Sequence, residues 1–211
     1  GRVDLWSTRR SEDFKILCLP SLSRLVLCLI FTYYSFMSNS KKFWNKEYKK
    51  DGKGEHIFKL STLPAEDLIK FTRWMERELG KGALSKNTFV LDLGCGNGRN
   101  LIYLSQDFGC KGVGYDISDE AIGQAKVASE KLWIDFSTRS ISGKFDLPDE
   151  SVGLVLDMMA SHYLKEEERE VYLQEIVRML KPRGWLFLKS FLKEEDRHAS
   201  RLIKQNSAGE E

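Results

Sequence analysis

Residues 90–100 read VLDLGCGNGRN, and no other stretch constrains the fold as tightly. An apolar, β-branched run ends at Asp92. Gly94, Gly96 and Gly98 follow at alternate positions, and an amphipathic stretch opens at Arg99. The pattern predicts a buried strand, a tight turn built from residues without Cβ atoms, and the start of a helix. Backbone N–H groups at such a junction can hold a small anionic or zwitterionic ligand. The nicotinamide fingerprint needs Gly or Ala at position 99. Arg99 stands there, and the third glycine comes one place early. A dehydrogenase is therefore disfavoured.

Strand and helix signals alternate through the rest of the chain. Residues 64–79, PAEDLIKFTRWMEREL, read as an amphipathic helix with Leu68, Phe71, Trp74 or Met75, and Leu79 inward. Pro64 and the acids Glu66 and Asp67 suit its first turn, and Gly80 and Gly82 its end. Strands are predicted at 88–93, 112–115, 133–136, 152–156 and 185–192. Helices are predicted at 98–108, 119–132 and 166–180, with Ser118 as an N-cap. This alternation implies an α/β fold, a parallel sheet with helices on both faces. In such sheets the ligand lies beyond the carboxyl ends of the strands, at the switch in strand order. Asp92, Asp116 and Asp157 all fall at or near strand carboxyl ends and so share one rim.

Charge and cysteine usage narrow the function. The 211 residues carry a net charge of +2, but residues 1–50 alone carry +6, which leaves −4 for the remainder. That part lacks the basic footprint of a nucleic-acid groove, so no nucleic-acid partner is expected. Cys18, Cys28, Cys95 and Cys110 show neither CxxC spacing nor a nearby histidine pair. No metal site follows from them, and reduced thiols in a cytoplasmic protein are the expectation.

Residues 16–36, ILCLPSLSRLVLCLIFTYYSF, stand apart. Pro20 and Arg24 interrupt the run, and residues 25–36 are too short for a span of about 20 apolar residues. Three readings stay open: a signal peptide or membrane anchor, a core helix, or an extension foreign to a domain beginning at Met37. The domain is placed at 37–211 with 1–36 outside it, and membrane contact is expected only through 16–36. Beyond it, Phe43, Trp44 and Tyr48 mark a charged aromatic stretch. Trp44 and Tyr48 share a face if it is helical.

With Asp92 two positions before the first glycine and Asp116 at the end of the next strand, the chain resembles the class I S-adenosylmethionine-dependent methyltransferases over residues 41–200. LGCGNGRN also resembles the tellurite-resistance methyltransferases, and EIVRMLKPRGWLFLKSF resembles the family's segment through its fifth strand. The resemblance implies a Rossmann-like, doubly wound sheet. The usual fold has seven strands, and the last two are missing here. Strand 185–192 is then an exposed edge, open to self-association.

The resemblance also implies a site. Asp92, Leu93, Gly94, Cys95, Gly96, Asn97 and Gly98 would wrap the amino-acid end of S-adenosylmethionine. Asp116 would accept the ribose hydroxyls and Ile117 would cover adenine. Ser140 and Ile141 stand where the family usually places an Asp and an apolar residue, with Asp135 as a substitute in another register. Asp157 and Met158 would lie near the transferring methyl. His162 is the candidate base, and Trp44 and Tyr48 form either a lid or packing on the sheet edge. The implied reaction is in-line displacement onto a small-molecule acceptor. Alignment of the reacting atoms is worth up to roughly 7–11 kcal/mol, and no metal or covalent intermediate is needed. A non-catalytic cofactor-binding scaffold is the alternative.

Overall fold

The computed structural model describes the backbone at residues 10–11, 14–19, 24–28, 40–49 and 61–190, and side chains at 41–49 and 61–190. Met37, Leu192 and the side chains of Cys18 and Cys28 lie outside the described residues.

The strands are β1 (Arg10–Ser11), β2 (Phe14–Leu19), β3 (Arg24–Cys28), β4 (Phe89–Leu93), β5 (Lys111–Asp116), β6 (Ile134–Thr138), β7 (Val152–Met158) and β8 (Leu180–Lys189). The helices are α1 (Ser40–Tyr48), α2 (Glu66–Leu79), α3 (Arg99–Phe108), α4 (Asp119–Ala128) and α5 (Glu166–Met179). The sheet order is β1-β2-β3-β8-β7-β4-β5-β6. From β3 to β6 every neighbouring pair is parallel, and β2 and β1 add an antiparallel margin. The chain runs outward from β4 to β6, then returns to place β7 on the other side of β4. The expected switch in strand order thus falls between β4 and β7, and the helices follow the expected α/β plan.

Burial on both faces explains why the central strands are apolar without alternation. Val90, Leu154, Leu156 and Phe187 join Leu68, Phe71 and Met75 of α2, Leu101 and Leu104 of α3, and Ile122 and Ala125 of α4 in one core. Leu91, Leu93, Val155, Leu186 and Leu188 meet Tyr172, Ile176 and Met179 of α5 in the other. Gly114 on β5 is needed for close approach. A Cβ there would lie 2.6 Å from the Phe136 ring and 2.9 Å from Cys95 Sγ.

Several expectations shift. Leu79 is half exposed, and Met75, not Trp74, is the fully buried member of its turn. Helix α4 ends at Ala128, short of residue 132, because the Ser129 N–H turns back to Lys126 O. Strand β8 begins at Leu180, so Lys181, Pro182, Arg183 and Gly184, which follow the predicted helix, enter the sheet. A register shift opposite Val152–Leu154 and the left-handed backbone at Arg183 (φ 66°) accommodate them. The largest departure concerns the sheet edge. Strand β3 lies parallel to β8, pairing Leu25 with Trp185 through Cys28 with Leu188. Part of the 16–36 run is thus strand, not helix. It satisfies the row of N–H and C=O groups that β8 would otherwise expose. Among the described residues, no helix is long and apolar enough to cross a membrane.

Two measurements test this packing. Phe71 is fully buried and stacks on Phe187 at 4.6 Å, so Phe71→Ala is expected to cost about 3–5 kcal/mol in urea unfolding. Leu79→Ala should change stability by less than about 0.5 kcal/mol. A chain beginning at Met37 uncovers the β8 edge and should self-associate as its concentration rises. A constant monomer mass in light scattering would show that β3 does not protect that edge.

Candidate functional site

Three loops meet at the carboxyl ends of β4, β5 and β7. The first, 94–98, turns so sharply that Gly94, Gly96 and Gly98 all have positive φ (72°, 55° and 77°). Side chains are excluded there for a second reason. A Cβ at Gly94 would lie 2.3 Å from Ala160 Cβ, and one at Gly96 would lie 2.4 Å from the Tyr48 hydroxyl. The loop is fastened to β5: Gly94 N and Cys95 N both donate to Tyr115 O, at 2.8 and 3.0 Å. Asn97 and Asn100 reach across to the segment before α2. Asn97 Nδ2 donates to Ser61 O, and Asn100 Oδ1 accepts from Ala65 N at 2.9 Å.

Asp116 ties the loop to α4. Its Oδ2 accepts from Gly96 N at 2.8 Å and its Oδ1 from Ser118 N at 2.9 Å. Ser118 then caps α4 by accepting from Ala121 N, as expected. A carboxylate has roughly four lone-pair sites, so Asp116 keeps capacity for two further donors. Burial nevertheless raises its pKa, against the pull of those backbone donors.

Asp92 is 1% exposed, and neither of its oxygens has a hydrogen-bond partner among the described residues. Burial, with Asp116 and Asp157 nearby, pushes its pKa up to about 7; Arg99 and the Leu101 amide, which is near but outside hydrogen-bond geometry, pull the other way. A buried carboxylate without donors is costly, and this one waits on a cation or a proton. Cys95 and Cys110 are free thiols. Burial raises the pKa of both, that of Cys110 to about 11, so neither is a ready nucleophile.

Asp157 lies near the carboxyl end of β7 with its carboxylate bonded within the protein. It is fully buried, its Oδ2 accepts from the Tyr172 hydroxyl at 2.6 Å, and its Oδ1 accepts from Ala160 N and Ser161 N. Its carboxylate shapes the loop after β7. Met159 in that loop has a left-handed backbone (φ 70°) and donates its N–H to Lys189 O. Met158 beside it is half-buried against the first core. His162 sits in the single turn Ser161–Tyr163, 3% exposed, its ring 4.1 Å from that of Tyr163. Burial lowers its pKa to about 4. The ring is therefore neutral at pH 7 and a weaker proton acceptor than an ordinary histidine.

At the adenine end, Ile117 is half-buried just past β5. Ser140 and Ile141 follow the end of β6, where Arg139 N donates to Asp116 O. The Ser140 hydroxyl bonds Ser142 at 2.8 Å, and Ile141 packs on the second core. Asp135 pairs with Val113 within the strand and is exposed, away from the rim, so it does not substitute for Ser140.

Helix α1 lies over this rim, not on the sheet edge. Trp44 meets Tyr163 edge-on at 5.6 Å, and the buried Tyr48 projects its hydroxyl toward Gly96. Burial and the Asp116 carboxylate raise the phenol's pKa. Polar contacts hold α1 to α4: Ser118 Oγ donates to Asn45 Oδ1 at 2.8 Å, Gln124 Nε2 to Tyr48 O at 2.8 Å, and Lys41 pairs with Asp119 at 2.9 Å. Sequence reasoning missed Asn45, Gln124, Tyr163 and Tyr172. Their partners lie far away in the sequence, so local spacing does not reveal them.

Residues 90–184 match the family described as a methyltransferase domain. A protein-lysine N-methyltransferase of Saccharolobus islandicus is 30% identical over 148 residues, covering 64% of this chain and 89% of the relative. A glycine/sarcosine/dimethylglycine N-methyltransferase of Actinopolyspora halophila is 26% identical, covering 71% of this chain and 26% of the relative. A tRNA (carboxymethyluridine(34)-5-O)-methyltransferase of Arabidopsis thaliana is 27% identical, covering 60% of this chain and 30% of the relative. Apart from the Saccharolobus islandicus protein, the chain spans about half or less of the length of these and similar relatives. Their acceptors are diverse, and the expectation of no nucleic acid, drawn from net charge, is not supported. The glycine loop, the carboxylate on the neighbouring strand and these relatives agree: the chain belongs to the class I S-adenosylmethionine-dependent methyltransferases.

Proposed function

We propose that this protein is an enzyme that transfers a methyl group from S-adenosylmethionine to a small-molecule acceptor. The observation that carries the reading is the meeting of the 94–98 loop, Asp116 and the partnerless Asp92 at one switch point. These residues fit the nucleoside. Asp116 retains lone pairs for ribose hydroxyls. Ile117 and Ile141 offer apolar contact for adenine, and Ser140 offers a hydroxyl to its amino group. The loop from Leu93 to Gly98, with Asp92 beneath it, suits a zwitterionic amino-acid end. When bound, the sulfonium supplies an electrophilic methyl group.

The chain's own residues position and enclose. Asp157 holds the loop after β7 through Tyr172, and Met158 beside it presents a soft apolar side chain. Trp44, Tyr48 and Tyr163 form a roof, and a roofed, water-poor site suits an acceptor that can be enclosed. With its pKa lowered to about 4, His162 is a weak proton acceptor, which favours an acceptor that arrives as an anion or a free amine over an alcohol. We place this activity in the cytoplasm, in keeping with the two free, buried thiols. Residues 37–211 form the catalytic unit in this reading, since every site residue lies at or beyond Trp44.

Calorimetric titration with S-adenosylhomocysteine is the first test. Asp116→Ala should weaken binding by about 1.5–3 kcal/mol, because it removes hydrogen bonds to a charged acceptor and loosens Gly96. An unchanged affinity would exclude the assigned site. Gly96→Val should abolish binding while the fold persists, because a side chain there meets Tyr48 and strains a positive φ. Retained binding would place the ligand elsewhere. Turnover against amines, carboxylates, thiols, metalloid anions, a lysine peptide and tRNA then separates an enzyme from a scaffold. Methylation of a macromolecule alone would overturn the small-molecule reading.

A further inference from the structure

Resting on the cofactor reading above, we propose that Asp92 is protonated before the cofactor binds and releases that proton to solvent when the cofactor's ammonium group arrives beside it. The geometry leaves few alternatives. Asp92 lies one residue short of the end of the central strand, opposite Gly114 of β5 and Leu156 of β7. Both oxygens are buried without a donor among the described residues. Its carboxylate neighbours are differently placed, since Asp116 and Asp157 each already hold hydrogen bonds on both oxygens. Of the three acids, Asp92 is the one whose charge is not met by the surrounding protein.

The charged and titratable groups around it come from every element that packs there: Asp116 from β5, Asp157 from β7, Cys95 from the glycine loop, Arg99 from α3 and Tyr48 from α1. Arg99 is the cation among them, and it pulls less strongly than burial and the two carboxylates push. Cys95 and Tyr48 ionise above their usual ranges and His162 at about 4. None of those three changes charge near neutral pH, whereas Asp92 ionises at about 7. An ammonium group offers a positive charge and N–H donors together, which satisfies both needs of a buried carboxylate. The proton is lost to buffer as the cation enters, so charge balances within the pocket.

Linkage gives the sign. From about pH 4 to 7 the folded protein keeps a proton at Asp92 that the unfolded chain has lost, so stability falls as pH rises through that window. Replacing Asp92 by Asn removes the effect. Binding follows the opposite trend, since the ligand prefers the ionised form.

The experiment compares S-adenosylhomocysteine, which has the amino-acid end, with 5′-methylthioadenosine, which lacks it. Between pH 8 and pH 6 the affinity for the first should fall about 10-fold, and that for the second should stay flat. Calorimetry in buffers of different ionisation enthalpy should find close to one proton released per S-adenosylhomocysteine at pH 6, and none with 5′-methylthioadenosine. Asp92→Asn should flatten the pH profile of the first ligand. It should also raise Tm, and by more at pH 8 than at pH 5. Parallel pH profiles for the two ligands in the wild-type protein, or binding without proton release, would overturn the proposal while leaving the cofactor reading intact. Failure of both ligands to bind at any pH would overturn the two together.

Discussion

The structure depends on one crowded junction, where a carboxylate on β5 holds the loop that follows β4. Asp116 accepts from Gly96 and Ser118 at once. That pair of bonds fixes the glycine turn, sets the first turn of α4 and aligns two strand ends. The glycines are needed because the same turn must pass under Tyr48 and beside Ala160. Helix α1 then docks on α4 through Asn45, which reaches the Ser118 hydroxyl. A single acid thus connects turn, helix and roof. A ligand that also draws on Asp116 would feel changes in any of them.

Much of this was legible in the sequence, for a definite reason. The alternate glycines, the strand-ending acids and the Ser118 cap are local signals, each set by neighbours within a few residues. The parallel sheet followed from the alternation of strands and helices, and burial of β4 followed from the apolar run that ends at Asp92. What was missed is non-local. Tyr172 meets Asp157 from 15 residues downstream, and Asn45 meets Ser118 across 73. No periodicity encodes such pairs. The same holds for β3, whose backbone lies on β8 although some 160 residues separate them. The apolar run that contains it read equally as anchor, core helix or foreign extension. Its composition shows that it must be covered, not by what.

Side-chain environment was the other blind point. His162 was named because histidine ordinarily titrates near neutrality, but burial removes that property. Asp157 was named for its position at a strand end, and that position also brings it to a tyrosine from the helix behind the sheet. Residue type gives chemical potential, and burial decides which part of it survives. Asp92 and Asp157 share a residue type and a place on the rim, yet one is fully partnered and the other is not.

That contrast bears on how such a site coexists with a stable fold. Holding Asp92 without a partner costs stability, a burden common to sites prepared for a charged ligand. The rest of the rim reduces the burden. Asp116 and Asp157 are each held by amide or hydroxyl donors, so only one carboxylate remains unsatisfied. Two apolar cores on either face of the sheet carry the bulk of the fold beside the junction. A cationic ligand would therefore do more than occupy a pocket. By meeting the unmet charge it would stabilise the loop, the strand ends and the α1 roof together, and the thermodynamics of binding and of folding become one measurement.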